Sequence, residues 1–429
     1  MNKKHIFLSF FIILFVQESF SQLNRENYAS LEKSLGEQSF FNGHLTGFYL
    51  YDLDSQRVIF EKNSQIRFLP ASTTKLFTLF ASVLILQDST QTLRYISSGD
   101  TLKIWGSGDP TWKYKQFTSP DFQKIIGNHD VIQFSDANQV SPAFGYGWQW
   151  DDYYFDYSAE RSPLPIYGNL VEVKKVGNRP EISPNRFEIR PTTKPIKELE
   201  RDLHQNVFYY NPATFIGREK YIPILSSGEL TASLAAEITG KKWIYKPDSL
   251  PETHLVWRGS PLFPVLQEMM LESDNFLAEQ LLWMISDRLF QTLDTERAIE
   301  YILKTYLSDL PDQPKWVDGS GLSRHNLFTP RSMVALFEKL YRILPEDQLY
   351  DLLPTGGGSG TLKNSFQAAQ PYIFAKTGTM SNHFSLVGVI RGKSGKNYAF
   401  AFMNSNYPYG ASVVRREVEN VLVKLKDML

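Results

Sequence analysis

Between Gly47 and Phe60 the chain alternates aromatic and β-branched residues on either side of a polar run, Asp54-Ser55-Gln56-Arg57. That pattern predicts a β-hairpin. The segment FLPASTTKLFTLFASVLIL follows, with Pro70 as a helix-start signal and apolar residues dominant from Leu76 onward, which predicts a helix. Near the other end, Tyr372 to Thr379, Phe384 to Ile390 and Tyr398 to Met403 read as strands, the last two joined by the turn-rich Gly392-Lys393-Ser394-Gly395-Lys396. In the tail, Val413, Val414, Val418, Val421, Leu422 and Leu425 recur at helical spacing. Strands and a helix at both ends predict one α/β domain assembled from residues 22–87 and 253–429, with the intervening 88–252 inserted into it.

The insertion has a different texture. Turn signals punctuate it at Gly106-Ser107-Gly108-Asp109-Pro110, Ser183-Pro184-Asn185 and Pro191, between short runs such as Leu170 to Val176 and Arg186 to Arg190. A mostly β region is expected. It also carries a dense aromatic cluster, GYGWQWDDYYFDY, from Gly145 to Tyr157. From Gly259 to Leu289 the pattern is helical and apolar again, around a polar break at Glu272-Ser273-Asp274-Asn275.

At the start, Lys3, Lys4 and His5 precede an apolar run from Ile6 to Val16, too short for the ~20 residues that span a bilayer as a helix. Ser19 and Ser21 then supply small residues ahead of a cleavage point before Gln22. Residues 1–21 therefore read as a secretory signal peptide, which implies a periplasm-like destination with no integral membrane segment after cleavage. Composition narrows the chemistry further. A formal net charge of -1 gives no basic surface for nucleic acid. The absence of cysteine excludes disulfides, thiolate metal sites, cysteine nucleophiles and a lipid-modified cysteine. No HExxH, G-x-S-x-G or G-x-x-x-x-G-K-[ST] pattern occurs.

Three patterns remain. Ser72-Thr73-Thr74-Lys75 sits at the start of the helix after Pro70, where i, i+3 spacing puts the lysine on the serine's face. A partly desolvated lysine there can accept the hydroxyl proton, and a helix N-terminus offers N–H groups to an oxyanion. Alone this is weak, since Ser30-Leu31-Glu32-Lys33 also fits. Ser273-Asp274-Asn275 lies at the inter-helix break and is equally a good N-cap. Lys376-Thr377-Gly378-Thr379 ends a strand, where a glycine implies the close approach of another backbone or a ligand. Their order and contexts, S-x-x-K, S-D-N and K-T-G, match the motif set of serine acyl-transfer enzymes of the penicillin-binding and β-lactamase type.

With these motifs the sequence resembles the D-alanyl-D-alanine carboxypeptidase/endopeptidase family of class C low-molecular-mass penicillin-binding proteins. WGSGDPT from Trp105, the WQWDD cluster from Trp148, DGSGLSRHNLFTP from Asp318, GSGTL from Gly358 and KTGTM from Lys376 also fit that family. The resemblance implies a transpeptidase-like domain, an antiparallel sheet flanked by helices, with a compact insertion between the first two motifs. It implies that Ser72 attacks the carbonyl between two D-alanines and that Lys75 is the base. Ser273 then relays a proton to the leaving amine, and Asn275 holds the substrate peptide. Lys376, with Thr377, Gly378 and Thr379, receives the terminal carboxylate, while the Ser72 and Thr379 N–H groups form the oxyanion hole. Trp148 and Asp151, with Asp152 close behind, are the candidates for receiving a diaminopimelate side chain, and Gly321, Arg324 and Met380 match positions lining the same pocket. Asp318 and Asn326 are expected to shape their loop rather than touch substrate. Peptidoglycan stem peptides and β-lactams are the implied ligands, and no metal or organic cofactor is needed. A β-lactamase and a catalytically silent peptidoglycan-binding protein are the rival readings. Against the first, no E-x-x-L-N deacylation loop occurs; against the second stands the intact trio.

Overall fold

The computed structural model describes residues 23–36, 39–177, 179–196 and 198–429; the signal peptide expected at 1–21 lies outside the described residues. The hairpin forms as strands β1 (Leu45–Asp52) and β2 (Arg57–Lys62). The three runs near the other end form β3 (Ile373–Met380), β4 (His383–Arg391) and β5 (Asn397–Ser405). All five join one antiparallel sheet in the order β3-β4-β5-β1-β2. The β1–β5 ladder runs in register from Leu45 opposite Ser405 to Asp52 opposite Tyr398, so both ends of the chain close one sheet.

Both faces of this sheet are covered, which is why its strands read as nearly continuous apolar runs. Side chains alternate sides along a strand. In β5, Ala399, Ala401 and Met403 face a core shared with helices α1 (Lys75–Ile85) and α2 (Asn275–Phe290) and with the Leu262–Leu271 and Pro330–Ile343 helices. Tyr398, Phe400 and Phe402 face a second core built with the Arg25–Leu35 helix and the tail helix α3 (Ala411–Met428). Within β5 the small Ala399 and Ala401 lie toward the core that includes α1, and the aromatic Tyr398, Phe400 and Phe402 lie on the other face. Each fully buried Phe or Leu contributes roughly 1.5–3 kcal/mol.

The insertion is mixed α/β in detail. Strands Ser89–Ser98, Thr101–Gly106, Val131–Ser135, Lys242–Tyr245 and Leu255–Pro261 form a second five-stranded sheet, partly parallel and partly antiparallel. Two three-stranded sheets and the Gly228–Thr239 helix complete it around one continuous apolar core. Leu170–Val176 is a strand as read, whereas the Arg186 to Arg190 run settles as a strand at Glu188–Pro191. The expected boundary at 252 needs correction. Leu255–Pro261 pairs antiparallel with Ser89–Ser98 and so belongs to the inserted sheet; only after Pro261 does the chain turn helical. The Pro247 and Pro251 turns before it resemble a domain boundary but only lead into the sheet's edge strand. Among the described residues no helix is long and apolar enough to cross a membrane.

Candidate active site

Ser72 lies on a 3₁₀ turn, Ala71–Thr74, that runs directly into α1. Two threonine hydroxyls tighten it: Thr73 Oγ1 donates to the Pro70 carbonyl (2.7 Å) and Thr74 Oγ1 to that of Ala71 (2.9 Å). Ala71 is held at φ +47°, a left-handed conformation that costs a non-glycine residue about 1–3 kcal/mol. Two glycines let other backbones close on this turn. A Cβ on Gly378 would fall 2.3 Å from the Pro70 oxygen and 3.1 Å from the Ser72 nitrogen; one on Gly321, itself at φ +84°, would fall 1.9 Å from the Ala71 oxygen. The close backbone approach that a glycine in β3 implies is thus an approach to the serine turn itself. Gly378→Ala should fold, with its sheet pairing intact, yet push β3 away from Ser72. The expected outcome is at least a roughly hundredfold loss of acylation, a cost of about 3 kcal/mol in the barrier, measured by stopped-flow with a chromogenic β-lactam. An unchanged rate would refute the close-approach argument.

Lys75 is fully buried on the first turn of α1. Its ammonium reaches three acceptors: Ser72 Oγ at 3.0 Å, Asn275 Oδ1 at 2.6 Å and the Ser320 carbonyl at 2.9 Å. Burial pulls its pKa down to about 8, against the opposing fields of Asp274, Asp318 and Glu279. The other S-x-x-K, at Ser30 and Lys33, sits on the outer Arg25–Leu35 helix with Lys33 exposed, where nothing desolvates the amine.

The S-D-N turn joins the Leu262–Leu271 helix to α2. Asp274 is the N-cap, accepting from the Leu277 N–H at 2.9 Å, so the capping role falls to the middle residue. Ser273 is held at φ +62° and Asn275 opens the helix toward Lys75. Lys376, fully buried on β3, donates to Ser273 Oγ (2.8 Å) and to the Thr377 carbonyl (3.1 Å). Burial pushes its pKa well below the usual lysine range, and the nearby Lys75 pushes the same way. The structure therefore brings Ser72, Lys75, Ser273, Asn275 and Lys376 together as two neighbouring hydrogen-bonded groups, Ser72–Lys75–Asn275 and Ser273–Lys376.

An open cleft of about 320 Å³ lies over it, lined by Ala71, Ser72, Ser273, Asn275, Gly321, Leu322, Arg324, Thr379, Met380 and Ser381, and walled on the insertion side by Gln149, Asp152 and Tyr157. Thr377 faces Thr361, their hydroxyls 2.7 Å apart, and Thr379 Oγ1 accepts from Arg415 at 3.3 Å. Two residues expected to touch substrate lie away from this lining. Asp151 is exposed and outside the cleft lining, which its neighbour Asp152 joins instead. Trp148 likewise is not part of the lining; its indole N–H donates to Asp318 Oδ2 at 3.0 Å. The one-residue shift follows from the 3₁₀ turn Trp150–Asp152, which sends adjacent aspartates in different directions. The aspartate at 318 organises its loop, accepting from the Gly321 and Ser323 N–H groups and from Asn326 Nδ2.

Sequence reasoning missed Tyr157, whose hydroxyl donates to Asp152 (2.9 Å) and whose carbonyl accepts from Asn275 (3.0 Å). It also missed Glu279, completely buried on α2 beside Ser320. A glutamate inside the apolar run FLAEQLLWMIS was the available signal, because an acid seldom sits in a core unless paired. Among the described residues no cluster of ligating side chains suits a metal ion. What the arrangement can do is activate a serine hydroxyl beside a depressed lysine and present a second lysine to an anionic group.

The sequence profile described as the D-Ala-D-Ala carboxypeptidase 3 (S13) family matches residues 28–195 and 228–429. D-alanyl-D-alanine carboxypeptidase DacB of Haemophilus influenzae is 24% identical over 435 residues, covering 89% of this chain and 90% of its own. The crystal structure of penicillin binding protein 4 from the same organism superposes with a TM-score of 0.73 at 21% identity, over 94% of this chain and 99% of that one. A complex of that protein with a β-lactam gives 0.67 at 20% identity, over 93% and 98%. Bd3459, a predatory peptidoglycan endopeptidase from Bdellovibrio bacteriovorus, gives 0.53 at 16% identity, over 88% and 91%. These likenesses show the fold to be that of penicillin binding protein 4.

Proposed function

The chain belongs to the D-Ala-D-Ala carboxypeptidase 3 (S13) family, and from that premise we propose how its own residues carry out D,D-peptidase chemistry. It is a serine-type D-Ala-D-Ala carboxypeptidase, and our reading extends its substrates to peptidoglycan stem peptides, with cross-linked stems among them. One observation carries the mechanism: Ser72 Oγ lies 3.0 Å from the amine of a fully buried lysine whose pKa is drawn to about 8. A neutral Lys75 takes the Ser72 proton as Oγ bonds to the carbonyl carbon between two D-alanines. The Ser72 and Thr379 N–H groups stabilise the oxyanion. As the C–N bond breaks, the proton taken up by Lys75 reaches the departing amine by way of Ser273, and water later hydrolyses the ester, freeing Ser72. Asn275 orients the peptide while fixing Lys75, and Lys376 with Thr377 and Thr379 meets the terminal carboxylate. Penicillins enter the same path, opening their lactam ring onto Ser72.

The cleft wall bears on substrate choice. Asp152 presents a carboxylate from the insertion, and Arg324 a cation from the Asp318 loop. An amino acid side chain carrying both an amine and a carboxylate complements that pair, and we assign Asp152 to the amine. For an enzyme acting on peptidoglycan we assign a place at the cell wall, in the periplasm.

The test is release of D-alanine from a stem pentapeptide with a free side-chain amine, and of monomers from a cross-linked dimer, before and after benzylpenicillin. Penicillin-sensitive release of D-alanine is expected. Asp152→Asn should raise KM for the free-amine substrate about five- to tenfold, near 1–1.4 kcal/mol, with the N-acetylated substrate unaffected, whereas Asp151→Asn should change neither. Rapid penicillin turnover without an accumulated adduct would favour a β-lactamase. No reaction with either substrate, in folded protein, would favour a silent binding module.

A further inference from the structure

Resting on the acyl-enzyme reading, we infer that Glu279 is a positioning residue that, with Arg161, clamps the Ser320 backbone holding the Lys75 amine and ties that base to the inserted substrate wall.

The clamp is visible peptide by peptide. In the Gly319–Ser320 peptide, the carbonyl accepts from Thr78 Oγ1 (2.7 Å) and the N–H donates to Glu279 Oε1 (2.8 Å). In the next one, Ser320–Gly321, the carbonyl accepts from Lys75 Nζ (2.9 Å) and the N–H donates to Asp318 Oδ1 (2.8 Å). Each peptide unit is thus gripped at both ends, and the second grip on the carbonyl side is the lysine itself. Thr78 and Lys75 both belong to α1, while Glu279 belongs to α2. The Ser320 backbone is therefore a spacer between the two helices that carry Lys75 and Asn275.

Arg161 extends the clamp into the insertion. Its guanidinium donates to Glu279 Oε2 (3.1 Å), Thr295 Oγ1 (2.8 Å) and the carbonyls of Pro142 (2.8 Å) and Phe144 (3.1 Å). It also lies over the rings of Trp148 (5.6 Å) and Trp283 (5.0 Å). Trp148 in turn donates to Asp318, the carboxylate that fixes the Gly321 N–H. The segment between Pro142 and Arg161, which supplies Gln149, Asp152 and Tyr157 to the cleft, meets the Ser320 loop through both links.

Such a pair is poorly explained as a stabilising device. Arg161 and Glu279 are 2% and 0% exposed, and two desolvated charges often stabilise a fold no better than apolar residues of the same volume. What the pair supplies is direction: a carboxylate gives two acceptors at fixed geometry, one for the catalytic loop and one for the insertion. Its charge matters as well. The charged groups around Lys75 are Asp274 at the N-cap of α2, Glu279 on α2, Asp318 from the loop and Lys376 from β3; those around Glu279 are Lys75, Arg161 and Asp318. Burial raises the Glu279 pKa to about 7, so above that pH its charge adds to the field that keeps the Lys75 proton on.

The experiment measures benzylpenicillin acylation of the mature protein by stopped-flow between pH 5.5 and 9.5, separating the acylation rate constant from the dissociation constant of the preceding complex. Glu279→Gln keeps the volume but cannot serve both donors and carries no charge. Its high-pH acylation rate should fall at least tenfold with the dissociation constant within twofold of the parent, and its acid limb should move to lower pH. Glu279→Asp keeps the charge but is too short; its rate should fall while the limb stays. Thr78→Val releases only the Gly319 carbonyl and should cost threefold or more without moving the limb. If folded Glu279→Gln acylates within twofold of the parent, or loses only its unfolded fraction with the limb unmoved, the proposal is overturned. Should Glu279→Gln not fold, an unchanged rate in folded Thr78→Val overturns it instead. A parent protein that is never acylated would refute the acyl-enzyme reading, and the clamp's catalytic role with it.

Discussion

Ser72→Ala is expected to take up no benzylpenicillin covalently, where the parent chain gains a single long-lived penicilloyl adduct by intact-mass analysis. The acylation rate should fall by about 10⁴-fold or more, the scale on which loss of a nucleophile acts. The argument is geometric. The Ser72 hydroxyl contacts the Lys75 amine, and it sits on a turn against which both Gly378 and Gly321 allow backbone to close. Its rival is Ser273, also half-buried in the cleft, but that hydroxyl contacts Lys376 instead of Lys75. Lys376 also has a depressed pKa, so contact with a buried lysine alone does not separate the two serines. The turn does: Ser72 precedes a helix whose N–H groups can meet an oxyanion, whereas Ser273 precedes the Asp274 cap that already occupies the first turn of α2. Alanine at 72 leaves the strained conformation at Ala71 and the threonine bonds of the turn untouched, so the variant should melt within about 2 °C of the parent. An adduct on Ser72→Ala at the parent rate would transfer the nucleophile's role to Ser273.

The terminal hairpin, the last three strands and the tail helix were legible because the sheet is covered on both faces and its helices are amphipathic. Period and apolar content then speak directly. The three motifs were legible because their chemistry needs particular residue types at particular offsets. The inserted sheet was harder. Its edge strand Leu255–Pro261 pairs with a strand some 160 positions earlier, and nothing local distinguishes it from a linker. Substrate-side residues were the least legible. Whether Asp151 or Asp152 meets the cleft depends on one 3₁₀ turn, and whether Trp148 stacks on a ligand or anchors Asp318 depends on a loop 170 residues away. Glu279 was hidden for a related reason. Its importance comes from what it touches across the fold, and the sequence shows only an acid in an apolar helix.

The pH dependence of acylation should separate the two buried lysines. In the free enzyme Lys75 is drawn to about 8 by burial, and Lys376 lies well below its usual range because burial and the Lys75 charge act together. Only Glu272 is resolved as opposing that shift at Lys376, whereas three carboxylates hold the proton on Lys75. Both buried amines are thus easier to neutralise than an exposed lysine, and Lys75 keeps its proton until about 8. A base must be unprotonated to act, so for a substrate without a terminal carboxylate kcat/KM, which reports the free enzyme, should rise about tenfold per pH unit and level off near 8. A substrate with a free terminal carboxylate changes the balance between them. Its anion beside Lys376 favours the charged form there, and a charged Lys376 then repels the proton on Lys75. The base is thereby released by the substrate it is to act on. For such substrates the acid limb of kcat, which reports the bound complex, should lie about one unit below 8. For the same peptide with its terminal carboxylate amidated, the two limbs should coincide. Lys75→Arg, protonated at any working pH, should lose about 10³-fold or more in acylation and show no limb near 8. Coincident limbs with both substrates would mean that the two lysines titrate independently of what binds, and Lys376 would then be a binding group alone.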